Sequence, residues 1–117
     1  MSQSYFLVFN GIKYRNFSLL FKGKNPKKIV IGAHYDSAIP HPCADDNGAA
    51  VAISLAVGAA VARRGGLERD LIVAIFDAEE PPFFLGECMG SRRFYEDQLD
   101  ERGVHFALIS DLVGHDV

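Results

Sequence analysis

Three apolar runs, each ending in residues that can bind a metal, constrain this chain more than any other feature. Ile29-Val30-Ile31-Gly32-Ala33 leads into His34-Tyr35-Asp36, and Leu71-Ile72-Val73-Ala74-Ile75-Phe76 leads into Asp77-Ala78-Glu79-Glu80. Val104-His105-Phe106-Ala107-Leu108-Ile109 leads into Ser110-Asp111-Leu112-Val113-Gly114. Short apolar runs rich in β-branched residues read as buried strands. In open α/β sheets, ligand-binding groups gather beyond the carboxyl ends of the strands. The runs therefore predict a single rim carrying one imidazole and several carboxylates. A fourth cluster, Ala44-Asp45-Asp46-Asn47-Gly48, lies between the first two runs.

The rest of the chain fits the same architecture. Tyr5 to Phe9 and Tyr14 to Phe21 flank Asn10-Gly11, a dipeptide that tolerates positive φ at both positions and so signals a hairpin. Lys22-Gly23-Lys24-Asn25-Pro26-Lys27-Lys28 reads as a solvated loop. Ala49 to Arg64 reads as a helix closed by Arg63-Arg64-Gly65-Gly66, since cations in a last turn followed by glycine stop a helix. That helix is apolar nearly all round, which predicts burial on all sides. A second helix is expected from Ser91 as N-cap, through Phe94, Tyr95, Gln98 and Leu99, up to Gly103. The alternation predicts a single domain over 1–117 of α/β class: a mixed, largely parallel sheet with flanking helices and an amino-terminal antiparallel hairpin.

Composition narrows the partners. A chain of 117 residues with 49% hydrophobic content can bury a core, and its net charge of -3 offers no basic stripe for nucleic acid. The two cysteines, Cys43 and Cys88, have no Cys-x-x-Cys spacing and so make no zinc knuckle. No charged segment followed by a signal-like apolar run opens the chain, and Gly48 to Ala62 falls short of the roughly 20 residues a membrane span needs. The expectation is a soluble protein, cytoplasmic by default, with no nucleic-acid or membrane partner.

Each acidic cluster has a plain reading as well as a chemical one. His34-x-Asp36 is either a satisfied polar pair or a metal-bound histidine whose other ring nitrogen is oriented by a carboxylate. Asp45-Asp46-Asn47-Gly48 could serve only to cap the helix that follows. Glu79-Glu80, directly after a buried strand and before Pro81-Pro82, is harder to explain by solvation. Four such clusters in one short chain favour the metal. Carboxylates with one imidazole suit a zinc-type hydrolytic site, and a shared carboxylate could bridge two ions.

Taken in order, Gly32-Ala33-His34-Tyr35-Asp36-Ser37, Ala44-Asp45-Asp46-Asn47-Gly48, Asp77-Ala78-Glu79-Glu80 and Asp111-Leu112-Val113-Gly114 resemble the motifs of the co-catalytic zinc exopeptidases, which include bacterial leucyl-type aminopeptidases. Glu80-Pro81-Pro82-Phe83-Phe84 and Met89-Gly90-Ser91 resemble a bacterial branch of that family. The resemblance implies zinc, held by His34 and Asp111 at one position and by Glu80 at the other, with Asp46 bridging. It implies that Asp36 orients His34, that Glu79 is the general base, and that the Asp46-Asn47 peptide is cis. It also implies a peptide substrate cleaved at its amino-terminal residue; relatives of this kind are often secreted.

The pattern departs from the family in one respect. Relatives place a further histidine ligand downstream, and no segment matching it occurs up to Val117, so one or two zinc ions and weak activity are expected. His41, His105 and His115 are the other imidazoles. An exposed sheet edge would favour homo-oligomers. Two other readings remain: a glutaminyl cyclase-like single-zinc enzyme, which shares the histidine, double-glutamate and Asp-Leu segments, and a non-catalytic domain kept for binding or assembly. Phe83 and Phe84 either line a pocket for apolar residues or simply pack beneath the Glu79 loop.

Overall fold

The computed structural model describes residues 2–99 and 103–114. Its elements run β1 (Ser2–Phe9), β2 (Ile12–Phe21), β3 (Asn25–His34), α1 (Ala49–Arg64), β4 (Arg69–Phe76), α2 (Gly90–Gln98) and β5 (Val104–Ile109). The strands form one sheet in the order β1-β2-β4-β3-β5. β1 pairs antiparallel with β2, and β2 with β4, while β3 runs parallel to both β4 and β5. The sheet is mixed, with the expected hairpin at one edge. Asn10 and Gly11 take φ of 50° and 77°, as a tight hairpin turn requires.

β4 lies at the centre, and every residue from Asp70 to Phe76 is buried, as a strand covered on both faces should be. Its side chains alternate. Leu71, Val73 and Ile75 meet Val51 and Val61 of α1 on one face, together with Phe17, Leu19 and Phe21 of β2. Ile72, Ala74 and Phe76 join Val30 and Phe94 of α2 on the other. Burying apolar side chains of this size contributes about 1.5–3 kcal/mol each.

Three expectations are corrected. α1 keeps its expected bounds but is not buried all round: only Ala50, Ser54 and Gly58 are buried, four residues apart, while Ile53, Leu55 and Val57 are exposed. A helix lying on one sheet buries one stripe, and small residues on that stripe bring it close. α2 starts at Gly90 with Met89 before it in extended conformation, so Ser91 is not the N-cap, and the helix ends at Gln98. The lysine segment is more than a solvated loop. β3 begins within it at Asn25, the Lys22 ammonium lies 2.7 Å from Asp70 Oδ2, and the Gly23 N–H donates to Oδ1 at 2.8 Å.

The far edge, β5, exposes Phe106, Leu108 and Ile109. No helix among the described residues is long and apolar enough to cross a membrane.

Candidate metal centre

β3, β4 and β5 are parallel neighbours, so their carboxyl ends open on the same side. His34 is the last residue of β3, paired across the sheet with Phe76 at the end of β4. The Tyr35 N–H donates to the Phe76 carbonyl at 2.9 Å, and the Ser110 N–H to the Gly32 carbonyl at 2.9 Å, which seats the segments carrying Glu79-Glu80 and Asp111 on either side of the imidazole. Asp46 arrives from a wide helical turn, Ala44–Gly48, in which the Asp46-Asn47 peptide is cis as the resemblance implied. After β4, Ala78 takes φ of 54° and its N–H is held by Asp77 Oδ1 at 2.9 Å. A buried alanine in the left-handed region is uncommon, and such outliers cluster at functional sites.

The rim assembles as expected. His34 Nε2 lies 3.3 Å from Asp46 Oδ1, 3.5 Å from Asp111 Oδ1 and 3.6 Å from Glu80 Oε1. Zinc–ligand bonds of about 2.0–2.1 Å in a tetrahedron put neighbouring donors about 3.3 Å apart, a spacing that the Asp46 and Asp111 contacts to His34 Nε2 approach. Donor atoms of His34, Asp46 and Asp111 all lie within 4.8 Å of one another. A nearly buried imidazole facing three carboxylates is a donor set whose negative charge a divalent cation would balance.

Asp36 acts on both sides of the centre. His34 Nδ1 lies 3.1 Å from its carbonyl oxygen and 3.3 Å from its Oδ1, while Oδ2 accepts the N–H groups of Glu79 and Glu80 at 3.0 and 2.9 Å. One residue thus fixes the ring through its backbone carbonyl, with the carboxylate alongside, and the loop that carries both glutamates through its side chain. Burial opposes a charged imidazole at His34, but hydrogen bonding and charge from Asp36, with Asp111 adding, push its pKa up to about 9. For Asp36 itself, burial is outweighed by the same His34 contact and the two backbone donors, which hold its carboxyl below the usual range. Burial raises Glu79, partly offset by hydrogen bonds from Ser91. Glu80 is raised by burial and by the neighbouring Asp46 carboxylate.

A cavity of about 350 Å³ opens beside the cluster, lined by His34, Glu79, Glu80 and Asp111 and walled by Phe76, Phe84 and Ile109. The two phenylalanines divide: Phe84 faces this cavity, whereas Phe83 packs edge-on against Phe9 and Tyr14. His41 and Cys43 stay outside the donor cluster, with the thiol donating to the His41 carbonyl at 3.2 Å. His105, at the start of β5, borders a separate groove under α1, and His115 lies outside the described residues. Both cysteines are free.

Several supporting residues escaped the sequence reading. Asp77 Oδ2 accepts the Tyr35 hydroxyl at 2.7 Å and the Arg15 N–H at 3.1 Å. Burial and the Asp77 carboxylate raise the Tyr35 phenol. Asn16 of β2 is 1% exposed and reaches the same loop, and Ser91 binds Glu79. An asparagine within a strand pattern, between Tyr14 and Phe17, is the signal that could have pointed to Asn16.

The sequence model of peptidase family M28 matches residues 16–116. This chain belongs to peptidase family M28. The M28 chain is 32% identical over 113 residues to the uncharacterized protein YfbL of Escherichia coli (strain K12), covering 90% of itself and 34% of that protein. It thus spans about a third of the length of that curated relative. Its fold is similar to that of a Zn-dependent exopeptidase from Parabacteroides distasonis ATCC 8503, with TM-score 0.69 and 22% identity over 96% of this chain and 46% of the other. It is equally similar to a glutaminyl cyclase from an Acidobacteriales bacterium, with TM-score 0.69 and 19% identity over 87% of this chain and 39% of the other. These two likenesses concern the fold.

Proposed function

We propose that this M28 chain carries the zinc centre of an exopeptidase that hydrolyses peptides at their amino-terminal residue. The observation that carries the reading is the convergence of Asp46, Glu80 and Asp111 on the single nitrogen His34 Nε2. In this reading His34 and Asp111 would hold one zinc and Glu80 the other, with Asp46 shared between them. Zinc, when bound, polarises a carbonyl and makes a water acidic enough to attack at neutral pH. Asp36 keeps the imidazole oriented with Nε2 toward the ion. Glu79, which lines the cavity beside His34 and Glu80, would take the proton of the attacking water and pass it to the leaving amine. The apolar wall of Phe84 and Ile109 would receive the substrate's side chain beside the scissile bond.

A single-zinc, glutaminyl cyclase-like reading has one specific point in its favour: among the described residues, the donor atoms that all lie within 4.8 Å of one another belong to one set of three, His34, Asp46 and Asp111, enough for one ion.

Metal content by plasma mass spectrometry, on protein purified without chelator and on a Glu80→Ala variant, tests the reading. We expect one zinc held tightly by His34, Asp46 and Asp111, a second held weakly and lost in the variant, and slow release of amino-terminal residues from peptides. Absence of metal affinity would overturn the reading. Cyclisation of an amino-terminal glutamine peptide, in place of cleavage, would move it to the cyclase.

A further inference from the structure

The two adjacent glutamates after β4 are held in different ways. Glu80 Oε1 faces His34 Nε2 at 3.6 Å. The Glu79 carboxylate is instead turned to the start of α2, where the Ser91 N–H donates to Oε1 at 2.5 Å and the Ser91 hydroxyl to Oε2 at 3.0 Å. One residue thus engages both oxygens, through hydrogen bonds strengthened by the carboxylate's charge. The place of Ser91 is itself fixed: Asn16 accepts the Asp77 N–H at 3.0 Å and donates to the Gly90 carbonyl at 2.8 Å. Gly90 permits the approach, since a Cβ there would lie 2.0 Å from the Asp77 carbonyl oxygen.

We propose that Ser91 is a positioning residue that ties the Glu79 carboxylate away from the ion, leaving Glu80 as the only one of the two adjacent glutamates free to bind it. The proposal rests on the metal reading above. Glu79 lines the same cavity as His34, Glu80 and Asp111. A carboxylate so placed is a competent ligand for a divalent cation, and one that binds the ion no longer serves as a base. Asp36 already holds the Glu79 backbone, so the ties from Ser91 decide where the carboxylate goes.

The test uses Co²⁺ as the probe, because its visible absorption weakens as its coordination number rises. Spectra and Co²⁺ affinity are compared for the wild-type chain, Ser91→Ala, Ser91→Thr and the double variant Ser91→Ala with Glu79→Gln, each checked by circular dichroism. Ser91→Ala, which loses the hydroxyl tie, should absorb more weakly and bind Co²⁺ several-fold more tightly. Ser91→Thr, which keeps the hydroxyl, and the double variant, which lacks the extra ligand, should match the wild type. Wild-type behaviour in Ser91→Ala overturns the proposal, as does a change that persists in the double variant. A wild-type chain that takes up no Co²⁺ overturns the metal reading and this proposal together; uptake with an unmoved Ser91→Ala overturns the proposal alone.

Discussion

The Asn16 side chain in β2 donates a 2.8 Å hydrogen bond to the carbonyl of Gly90, 74 positions later in the chain. With its acceptor oxygen on the Asp77 N–H, this buried amide joins the two segments that carry Glu79 and Ser91. Leaving buried polar groups unpaired costs about 1–3 kcal/mol each. Asn16→Ala should therefore lower stability by about 2–4 kcal/mol in urea unfolding, from two orphaned backbone groups and a small void. A loss below about 0.5 kcal/mol, the size of an ordinary surface change, would show that the amide does not hold the loop.

Asp36 supports the imidazole and the glutamate loop at once. Groups that orient a metal-bound histidine typically change metal affinity by about 10–100-fold when removed. Asp36→Ala should weaken zinc binding in a calorimetric titration by about that factor. Unchanged affinity would confine Asp36 to a structural role.

Phe83 and Phe84 are adjacent in sequence but opposite in consequence. Phe83 makes ring contacts with Phe9 and Tyr14 at centroid distances of 5.5 and 4.9 Å, while Phe84 is 61% exposed at the cavity. Phe83→Ala should cost about 1–3 kcal/mol in thermal unfolding, as loss of a partly buried aromatic does, and Phe84→Ala less than about 0.5 kcal/mol. Equal losses would mean that Phe84 belongs to the core and not to the cavity wall.

Asp70 sets a pH dependence remote from the rim. The Lys22 ammonium and the Gly23 N–H hold its carboxyl below the ordinary value. Across the interval between folded and unfolded pKa the unfolded chain binds more protons, so stability rises with pH there. The contribution is complete above the unfolded value of about 3.9 and is lost as pH falls through the folded one. Acid unfolding followed by circular dichroism should be steeper below about pH 4 for the wild type than for Asp70→Asn, which should already be less stable at neutral pH. Parallel curves would remove Asp70 as the source.

The strands and their order of appearance were legible because they depend on local pattern. The apolar run Leu71 to Phe76 announced a buried strand, Asn10-Gly11 announced the hairpin, and Arg63-Arg64-Gly65 closed α1 where the structure closes it. His34, Asp46, Glu80 and Asp111 were legible for the same reason, since each follows an apolar run or opens a helix. The parallel pairing of β3 with β4 and β5 then brings those positions to a common rim, because parallel strands end on the same side of a sheet.

Tertiary structure decided what depends on which segments meet. Ser91 reads as a helix cap until β2, through Asn16, draws the start of α2 against the loop after β4 and turns the serine onto Glu79. α1 reads as buried on every side until a single sheet beneath it selects the stripe of Ala50, Ser54 and Gly58. Hydrophobic period and turn chemistry are properties of neighbours along the chain. Burial of one face over another, and the partner of a buried polar group, are fixed by contacts between segments distant along the chain, as between Asn16 and Asp77 at a separation of 61.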